Sequence, residues 1–398
     1  MLIDVRHLSG EARAIASRRV IAIGAFGLLA ATALMPQAAL AAEPIEVGTA
    51  AALTGYLAQY DGEFLNGLKL AAKVVNESGG IDGHMINLHI LDNASNATTG
   101  VTVTNQLINQ YNVSVMLNGA SSAVSLAIHP IVAEAKVPFV TLSQLPPEHN
   151  WAFLSTTSFA RVMDLELKFT TQYLKVKKIG ILYNQTPAAQ SATKTLQALA
   201  PKFGREGVTT QGVEVTATDF TPQMAAFKEA DPGAILDFVT GPAHILEAKG
   251  AATVGLKAAL VMGLDDTPTF RQASTAYPNA FLSAIPAQVY PDILDPGMKA
   301  AVGAFLEQHK KAGLDPAGVQ AAASGWDSVY ELVGAVKASG ATSGEALRKG
   351  FETLDYQGAV THWRFTPEDH TGQLKSEALQ TAKWENGAMK VVFRPQGD

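Results

Sequence analysis

The chain has 398 residues and no cysteine, and its 30 basic and 36 acidic side chains give a formal net charge of −6. The lack of cysteine excludes disulfides, thiolate metal sites and a cysteine nucleophile. An acidic chain without a basic block also argues against nucleic acid or anionic lipid as a partner.

Residues 1–42 have the features of a secretory signal peptide. The pair Arg18-Arg19 precedes an apolar run of 15 residues, Val20 to Leu34, and small residues follow at 38–42. A membrane span needs about 20 apolar residues, so a cleaved signal is favoured over a retained anchor. With no cysteine for lipid attachment, we expect the mature protein to be free in the periplasm. Whether export uses the Sec or the twin-arginine route stays open.

The first part of the mature chain alternates strands with helices. Apolar segments predict strands at 45–49, 86–92, 113–117 and 137–142. Phe64, Leu68 and Val75 lie at helical spacing in a segment that ends at Gly79-Gly80. Further helices are predicted at 98–110 and from 122 to about 135. Strands that alternate with helices of this length predict a parallel sheet with helices on both faces.

The same alternation resumes after Arg161. Strands are predicted at 178–183, 213–215, 234–239 and 260–262, and helices at 188–203, 222–229 and 243–253. Three long helical segments, which we expect to return to the first sheet, follow at 297–311, 321–337 and 344–353. The chain closes with strands at 377–384 and 389–393, and the Asn386-Gly387 pair between them predicts a hairpin.

About 356 residues remain after cleavage, which is too many for one hydrophobic core. We therefore expect an α/β protein of two lobes, each a mostly parallel sheet flanked by helices. The first lobe is predicted to comprise residues 43–161 and 287–365, and the second 162–286 and 366–398. Three crossings between the lobes are predicted, near residues 159–164, 285–290 and 361–372. Several such connections would form a hinge that bends without dissociating.

Ligands of parallel sheets bind outside the carboxyl ends of the strands. In this arrangement four loops lie there: 53–60, 118–122, 141–145 and 263–266. Gly119, Ala120 and Ser121 precede a helix, where free N–H groups and the helix dipole favour a carboxylate. Alternatively, Ser121 only caps that helix. Tyr60 either flanks an apolar ligand tail or packs within the fold. Asp265 either pairs with a ligand ammonium group or is a solvated turn residue that caps the helix after Thr267-Pro268.

The sequence lacks the common catalytic motifs. It contains no G-x-S-x-G, G-x-x-x-x-G-K-[ST], G-x-G-x-x-G or H-E-x-x-H pattern. Glu368-Asp369-His370 is the only cluster suited to a metal, and its position between Pro367 and Gly372 favours a polar surface turn. We therefore expect neither catalysis nor a metal or cofactor. A hydrolase built from dispersed residues is the weaker alternative.

Several segments are characteristic of one family in combination. They are Leu53-Thr54-Gly55, Ala58-Gln59-Tyr60, Asn76-Glu77-Ser78-Gly79-Gly80-Ile81-Asp82-Gly83, Val137-Pro138-Phe139-Val140, Gly325-Trp326-Asp327-Ser328-Val329, and Phe365-Thr366-Pro367 with Gly372-Gln373. With them the chain resembles the periplasmic leucine/isoleucine/valine-binding proteins, of the type I periplasmic binding fold, over nearly its whole mature length.

The resemblance implies a monomeric solute-binding protein that delivers its ligand to the membrane permease of an ABC importer. The implied ligand is a small amino acid or related carboxylate, with a branched-chain amino acid favoured. Two alternatives stay open, namely a binder of aromatic or aliphatic carboxylates or amides, and a ligand-sensing regulatory domain of the same fold.

The resemblance also implies roles for single residues. The segment Gly119, Ala120 and Ser121 would hold the ligand carboxylate, and Ser143 would offer a backbone amide. Tyr60 would flank the side-chain pocket and Asp265 would meet the ammonium group.

Three positions depart from the family pattern. Leu145 replaces a threonine that contacts the ligand, and Thr240-Gly241-Pro242 stands where a tyrosine is usual. The family's disulfide is absent, with Ser95 and Ala120 near its positions. The lost threonine and tyrosine weaken the implied preference for an amino acid.

Overall fold

The structure is a computed structural model that describes residues 42–143, 145, 150–239, 243–372 and 378–395. Apart from residue 42, the predicted signal peptide lies outside this part of the chain. The described residues form two sheets of mostly parallel strands flanked by helices, together with a separate two-stranded sheet. This arrangement confirms the predicted α/β fold.

The first sheet is built from the N-terminal strands. Its members are β1 (Ile45–Ala51), β2 (Ile86–Asp92), β3 (Val115–Asn118), β4 (Phe139–Thr141) and β5 (Ala152–Leu154). Helices α1 (Ala58–Glu77), α2 (Ala97–Asn109) and α3 (Ser122–Glu134) alternate with them. All five strands are parallel, in the order β2-β1-β3-β4-β5, so their carboxyl ends meet at one edge. The sequence does not predict β5, because three residues are too few to display a pattern.

The second sheet follows helix α4 (Phe159–Lys168), which continues as a π-helical turn, Phe169–Tyr173. Its parallel strands are β6 (Lys178–Asn184), β7 (Gly207–Val213), β8 (Ala234–Phe238), β9 (Ala259–Met262) and β10 (Ala280–Ala284). Its helices are α5 (Pro187–Leu199), α6 (Thr221–Ala230), α7 (Ala243–Val254) and α8 (Thr267–Ala276).

The prediction of a strand at residues 213–215 is wrong. Strand β7 ends at Val213 and pairs with β6 in register from Lys178↔Gly207 to Asn184↔Val213. It is an edge strand whose residues are mostly half-buried. It therefore lacks the continuous apolar run by which the sequence reveals the central strands.

The chain then returns to the first sheet, as predicted, through α9 (Pro296–Lys311), α10 (Gln320–Ser339) and α11 (Gly344–Phe351). Helix α10 packs closely along α1. A Cβ atom at Gly67 would lie 1.8 Å from the Ala322 carbonyl oxygen, and one at Gly325 would lie 2.0 Å from the Phe64 carbonyl oxygen. Both positions need glycine for this backbone contact.

Two strand pairs complete the described chain. Strands β11 (Asp355–Gln357) and β12 (His362–Arg364), which the sequence does not predict, form the small antiparallel sheet. Strands β13 (Gln380–Glu385) and β14 (Ala388–Phe393) form the predicted hairpin and join the second sheet beside β10. Asn386 and Gly387 both have positive φ, as the tight hairpin turn requires.

The connections between the sheets explain how the lobes are joined. The predicted crossing at 159–164 falls within α4, where Val162 packs in the core of the first sheet and Met163 in that of the second. The crossing at 285–290 also contacts both sheets, because Ile285 packs in the core of the first sheet and Val289 in that of the second.

The third crossing lies later than the predicted 361–372. Trp363 and Phe365 are buried in the first core, and the Leu154 N–H of β5 donates to the His370 carbonyl oxygen. The chain is therefore still on the first sheet at residue 370 and reaches the second at β13. The residue-level lobe boundaries stay a prediction.

Candidate functional site

A cavity of about 110 Å³ lies where the carboxyl ends of the two sheets face each other. Every loop that lines it follows a parallel strand, as expected for this fold class. From the first sheet and α4 it is lined by Tyr56, Leu57, Tyr60, Ala120, Ser122, Leu142, Ser143, Leu154, Thr156, Thr157, Phe159 and Val162. From the second sheet it is lined by Asn184, Thr186, Ala188, Ala189, Asp237, Phe238, Val239, Gly263 and Leu264. Within the described residues, no lysine, arginine or histidine lines the cavity.

Three of the predicted residues, Tyr60, Ala120 and Ser143, lie in this lining. The Tyr60 ring is half-buried in the first turn of α1. Burial, with the neighbouring Asp266 carboxyl next in importance, raises the pKa of its hydroxyl, which therefore stays protonated at neutral pH. Both donors of Ser143 have partners within the protein. Its N–H donates to Thr141 Oγ1 (3.1 Å), and its hydroxyl donates to the Ala120 carbonyl oxygen (2.7 Å).

Ser121 caps helix α3. Its backbone is extended, and its hydroxyl oxygen accepts the Val124 N–H at 3.3 Å. The neighbouring Ser122, which the sequence does not single out, lines the cavity instead. Ser121 thus makes the capping hydrogen bond, and the next hydroxyl lies at the cavity, while the ligand role of Ser121 stays a prediction.

A buried carboxyl that the sequence does not reveal lies behind this loop. Asp61 on α1 is fully buried and accepts the N–H groups of Ala52 (2.7 Å) and Ala120 (2.9 Å). A Cβ atom at Gly119 would lie 2.3 Å from Asp61 Oδ1, so only glycine allows this contact. The Ala120 amide, predicted to face a ligand, therefore serves Asp61. Burial raises the pKa of the Asp61 carboxyl to about 6, although the two backbone hydrogen bonds oppose it.

The remaining predicted residues lie outside the cavity lining. Leu145 packs against the apolar cluster beneath α2 and α3. Thr240-Gly241-Pro242 lies outside the described residues. Asp265 is buried and has internal partners, because one of its carboxylate oxygens contacts His244 Nδ1 and the other accepts the Asp266 N–H at 2.7 Å. Asp265 thus has a histidine partner within the protein, and its predicted pairing with a ligand ammonium stays a prediction.

His244 is the centre of a buried charge network under the second-sheet side of the cavity. Its Nε2 contacts Asp237 Oδ1 at 3.0 Å, while Asp265 contacts its Nδ1. Burial alone would lower the pKa of His244, but the charges and hydrogen bonds of the two aspartates raise it well above its ordinary value. The ring is therefore an imidazolium that donates to both carboxylates.

Glu247, one turn further along α7, is a second fully buried acid beside this network. Burial, together with the nearby Asp237, raises the pKa of Glu247 well above its ordinary value. The sequence held one clue to the network, because Asp237 interrupts the apolar run 234–239. A buried charge in such a strand needs a partner.

Asp266 links the two sheets directly. Its carboxylate oxygen Oδ1 accepts the N–H of Gln320 at 2.9 Å, at the beginning of α10. Burial, followed by the charge of Asp265, raises the pKa of Asp266 to about 8. A residue in the loop between β9 and α8 of the second lobe thus accepts from the first N–H of a helix that packs on the first sheet.

Two further observations on the described part of the chain concern metal ligands and long apolar helices. This part contains no group of three or more histidine and acidic side chains suited to a metal. It also contains no helix long and apolar enough to cross a membrane. The Glu368-Asp369-His370 segment lies at a turn, where His370 stacks on Phe153 at 4.1 Å.

Comparison with known proteins points to one family. The sequence model of the periplasmic binding proteins matches residues 44–388. A relative named Leu/Ile/Val-binding protein homolog 1, from Brucella suis, is 23% identical over 348 residues, which cover 86% of this chain and 91% of the relative.

Solved structures share the fold at similarly low identity. An extracellular ligand-binding receptor from Rhodopseudomonas palustris superposes with a TM-score of 0.80 at 21% identity, covering 88% of this chain and 99% of that one. The branched-chain amino acid transporter substrate-binding protein LivJ from Streptococcus pneumoniae, solved with isoleucine, gives 0.73 at 20% identity, covering 88% and 100%.

Proposed function

This chain belongs to the periplasmic binding protein family, and we propose from that premise that it captures a small solute outside the cytoplasm and delivers it to the membrane permease of an ABC transporter. The favoured solute is a small amino acid or related carboxylate of the branched-chain type. The name of the Brucella relative and the isoleucine bound to LivJ support this choice. The proposal includes no catalytic step.

The observation that carries the proposal is the cavity between the two sheets. An engineered cavity of about 150 Å³ holds benzene, so about 110 Å³ suits a side chain of a few carbon atoms. Leu142, Phe238 and Leu264 offer apolar surface for it, while Ser122 and Asn184 offer polar groups for the ligand's other end.

Closure follows from the position of the cavity. A ligand that touches loops of both sheets makes its full set of contacts only when the lobes are closed on it. The ligand therefore favours the closed arrangement by the free energy of those additional contacts. Residues 155–158 and 285–290 and helix α4 would bend as this occurs.

Export is part of the proposal. Residues 1–42 would be removed on secretion, which leaves a protein that begins near Glu43. N-terminal sequencing of the periplasmic fraction would show this start, and recovery of residue 1 in the membrane fraction would contradict it.

One observation favours a second ligand class. Asp265 is paired with His244, so the acid predicted for a ligand ammonium has an internal partner. A carboxylate or amide that lacks an amino group, such as isovalerate or isovaleramide, is therefore the alternative ligand.

A thermal-shift screen of the exported protein tests both ligand classes. The panel contains leucine, isoleucine, valine, isovalerate, isovaleramide and aromatic acids. A ligand present at 100 times its dissociation constant stabilises the protein by about 2.7 kcal/mol. Stabilisation by a branched-chain compound supports the proposal, and a panel without any effect contradicts it.

A further inference from the structure

A buried acid lies behind the cavity end formed by Ala120 and Ser122, where the polar end of the proposed ligand would lie. Asp61 is fully buried directly behind this loop. Its carboxylate holds the Ala120 N–H at 2.9 Å, and Gly119 lies against its side chain. Ala120, whose N–H Asp61 holds, itself lines the cavity, and Ser122 lines it two residues further along the same loop. A ligand carboxylate seated there would face a second carboxylate across a single peptide.

Two like charges at such separation cannot both remain ionised without cost. The two backbone N–H groups stabilise Asp61 as an anion, but burial opposes it, and the pKa of Asp61 lies at about 6. A carboxylate bound nearby raises the pKa of Asp61 further. Near neutral pH this shift is enough to change the protonation state of Asp61.

From this geometry we propose that Asp61 couples capture of a carboxylate to uptake of one proton. The ligand anion enters, a proton from solvent adds to the Asp61 carboxylate, and the net charge at this end of the cavity stays at −1. A neutral amide of the same shape binds without this uptake. The inference rests on the proposed function and adds the residue that decides how the site treats ligand charge.

The titratable groups around Asp61 fit this role. Tyr56, just before α1, and Tyr60, in its first turn, lie near Asp61; burial is the main cause that raises the pKa of both hydroxyls, and the Asp61 charge adds to it. Beyond Tyr60 lie the carboxyl groups of Asp265 and Asp266. Any proton that Asp266 takes up when the lobes close is common to all ligands. The difference between a carboxylate and an amide therefore isolates Asp61.

The test is calorimetric titration near pH 7 in two buffers of different ionisation enthalpy, which counts the protons taken up on binding. The probes are leucine, isovalerate and isovaleramide. We expect isovalerate to take up between half a proton and one proton more than isovaleramide. We also expect the affinity for leucine and isovalerate to fall at least roughly tenfold between pH 5.5 and 8 relative to the amide.

Two variants test whether Asp61 is the group that takes up the additional proton. Asp61→Asn removes the charge, so the extra uptake should disappear and isovalerate should bind more tightly at pH 8. Asp327→Asn is the matched control, because Asp327 is also fully buried, accepts two backbone N–H groups, from Ala359 and Val360, and has its pKa raised by burial to about 6. It lies outside the cavity lining, and its variant should keep the uptake.

The outcomes separate the two proposals. Equal proton uptake for isovalerate and isovaleramide by the wild-type protein overturns the role of Asp61, while the proposed function stands. The same holds if Asp61→Asn keeps the extra uptake. If none of the three probes binds at either pH, and the wider screen is also negative, the proposed function fails and this inference fails with it.

Discussion

The two sides of the cavity are built in different ways. On the first-sheet side, the loops after β1, β3 and β4 present hydroxyls and small side chains to the cavity, with one buried carboxyl, Asp61, behind them. On the second-sheet side, the corresponding loops lie above a buried imidazolium held between Asp237 and Asp265. The loops that follow the parallel strands are thus held differently on the two sides of the cavity. On the first-sheet side a single carboxyl holds backbone N–H groups of the loops, and on the second-sheet side a cation between two acids holds the loops together.

Among the variants that test this contrast, His244→Leu should show the largest loss of stability. Removing the cation leaves two buried carboxylates without their partner, which typically costs about 3–5 kcal/mol. Chemical denaturation of the ligand-free protein measures the loss. His309→Leu is the control, because His309 is buried too but its pKa is lowered, chiefly by burial, so the ring is neutral. Equal losses in the two variants would contradict the ionised network.

Asp265→Asn tests the role of a single acid of the buried charge network on the second-sheet side. If Asp265 serves the network, the ligand-free protein should lose about 2–3 kcal/mol of unfolding free energy, as for a hydrogen bond to a charged group. Calorimetric titration with leucine should then show a smaller effect. A variant of unchanged stability that no longer binds leucine would instead restore the ligand role that the sequence predicts.

Asp266→Asn tests the contact between the sheets through pH. Its pKa is raised from 3.8 to about 8, chiefly by burial, so between these values the folded state holds a proton that the unfolded state has released. The unfolding free energy therefore falls as pH rises through this range, by up to about 1.4 kcal/mol per pH unit for one group. In the variant the fall should be smaller. An unchanged slope between pH 4 and 8 would show that Asp266 keeps an ordinary pKa.

The smallest effects separate two adjacent serines on the first-sheet side. Ser121→Ala removes the cap of α3 and should cost the ligand-free protein about 1 kcal/mol. Ser122→Ala alters the cavity lining and should weaken ligand binding with little loss of stability. Denaturation and calorimetry of both variants decide, and the reverse pattern would return the ligand role to Ser121.

The sequence predicts the first-sheet side better than the second. Strong apolar periodicity locates α1 and the strands around it, and the rule that ligands bind at strand carboxyl ends then selects the loop with Tyr60 and Ala120. It does not reveal Asp61, because one polar residue in the first turn of an amphipathic helix gives no sign of burial. The N–H groups that hold it come from Ala52 and Ala120, which lie far apart in the chain.

The second-sheet side is harder to predict because its chemistry depends on residues that only the fold brings together. Asp237 lies on β8, His244 on α7 and Asp265 after β9. The sequence identifies Asp265 as an acid at a strand end, but its partner is 21 residues earlier in the chain. A sequence pattern gives the position of such a residue and not the direction of its side chain.

The central claim, that a solute is held in the cavity between the sheets, is tested most directly by blocking that cavity. Ala188 lines it from the first turn of α5, and Gln190 is exposed on the same helix. Calorimetric titration with the tightest ligand of the screen should show wild-type affinity for Gln190→Trp and no measurable binding for Ala188→Trp, with both variants folded. Wild-type affinity in Ala188→Trp would place the ligand elsewhere and contradict the account.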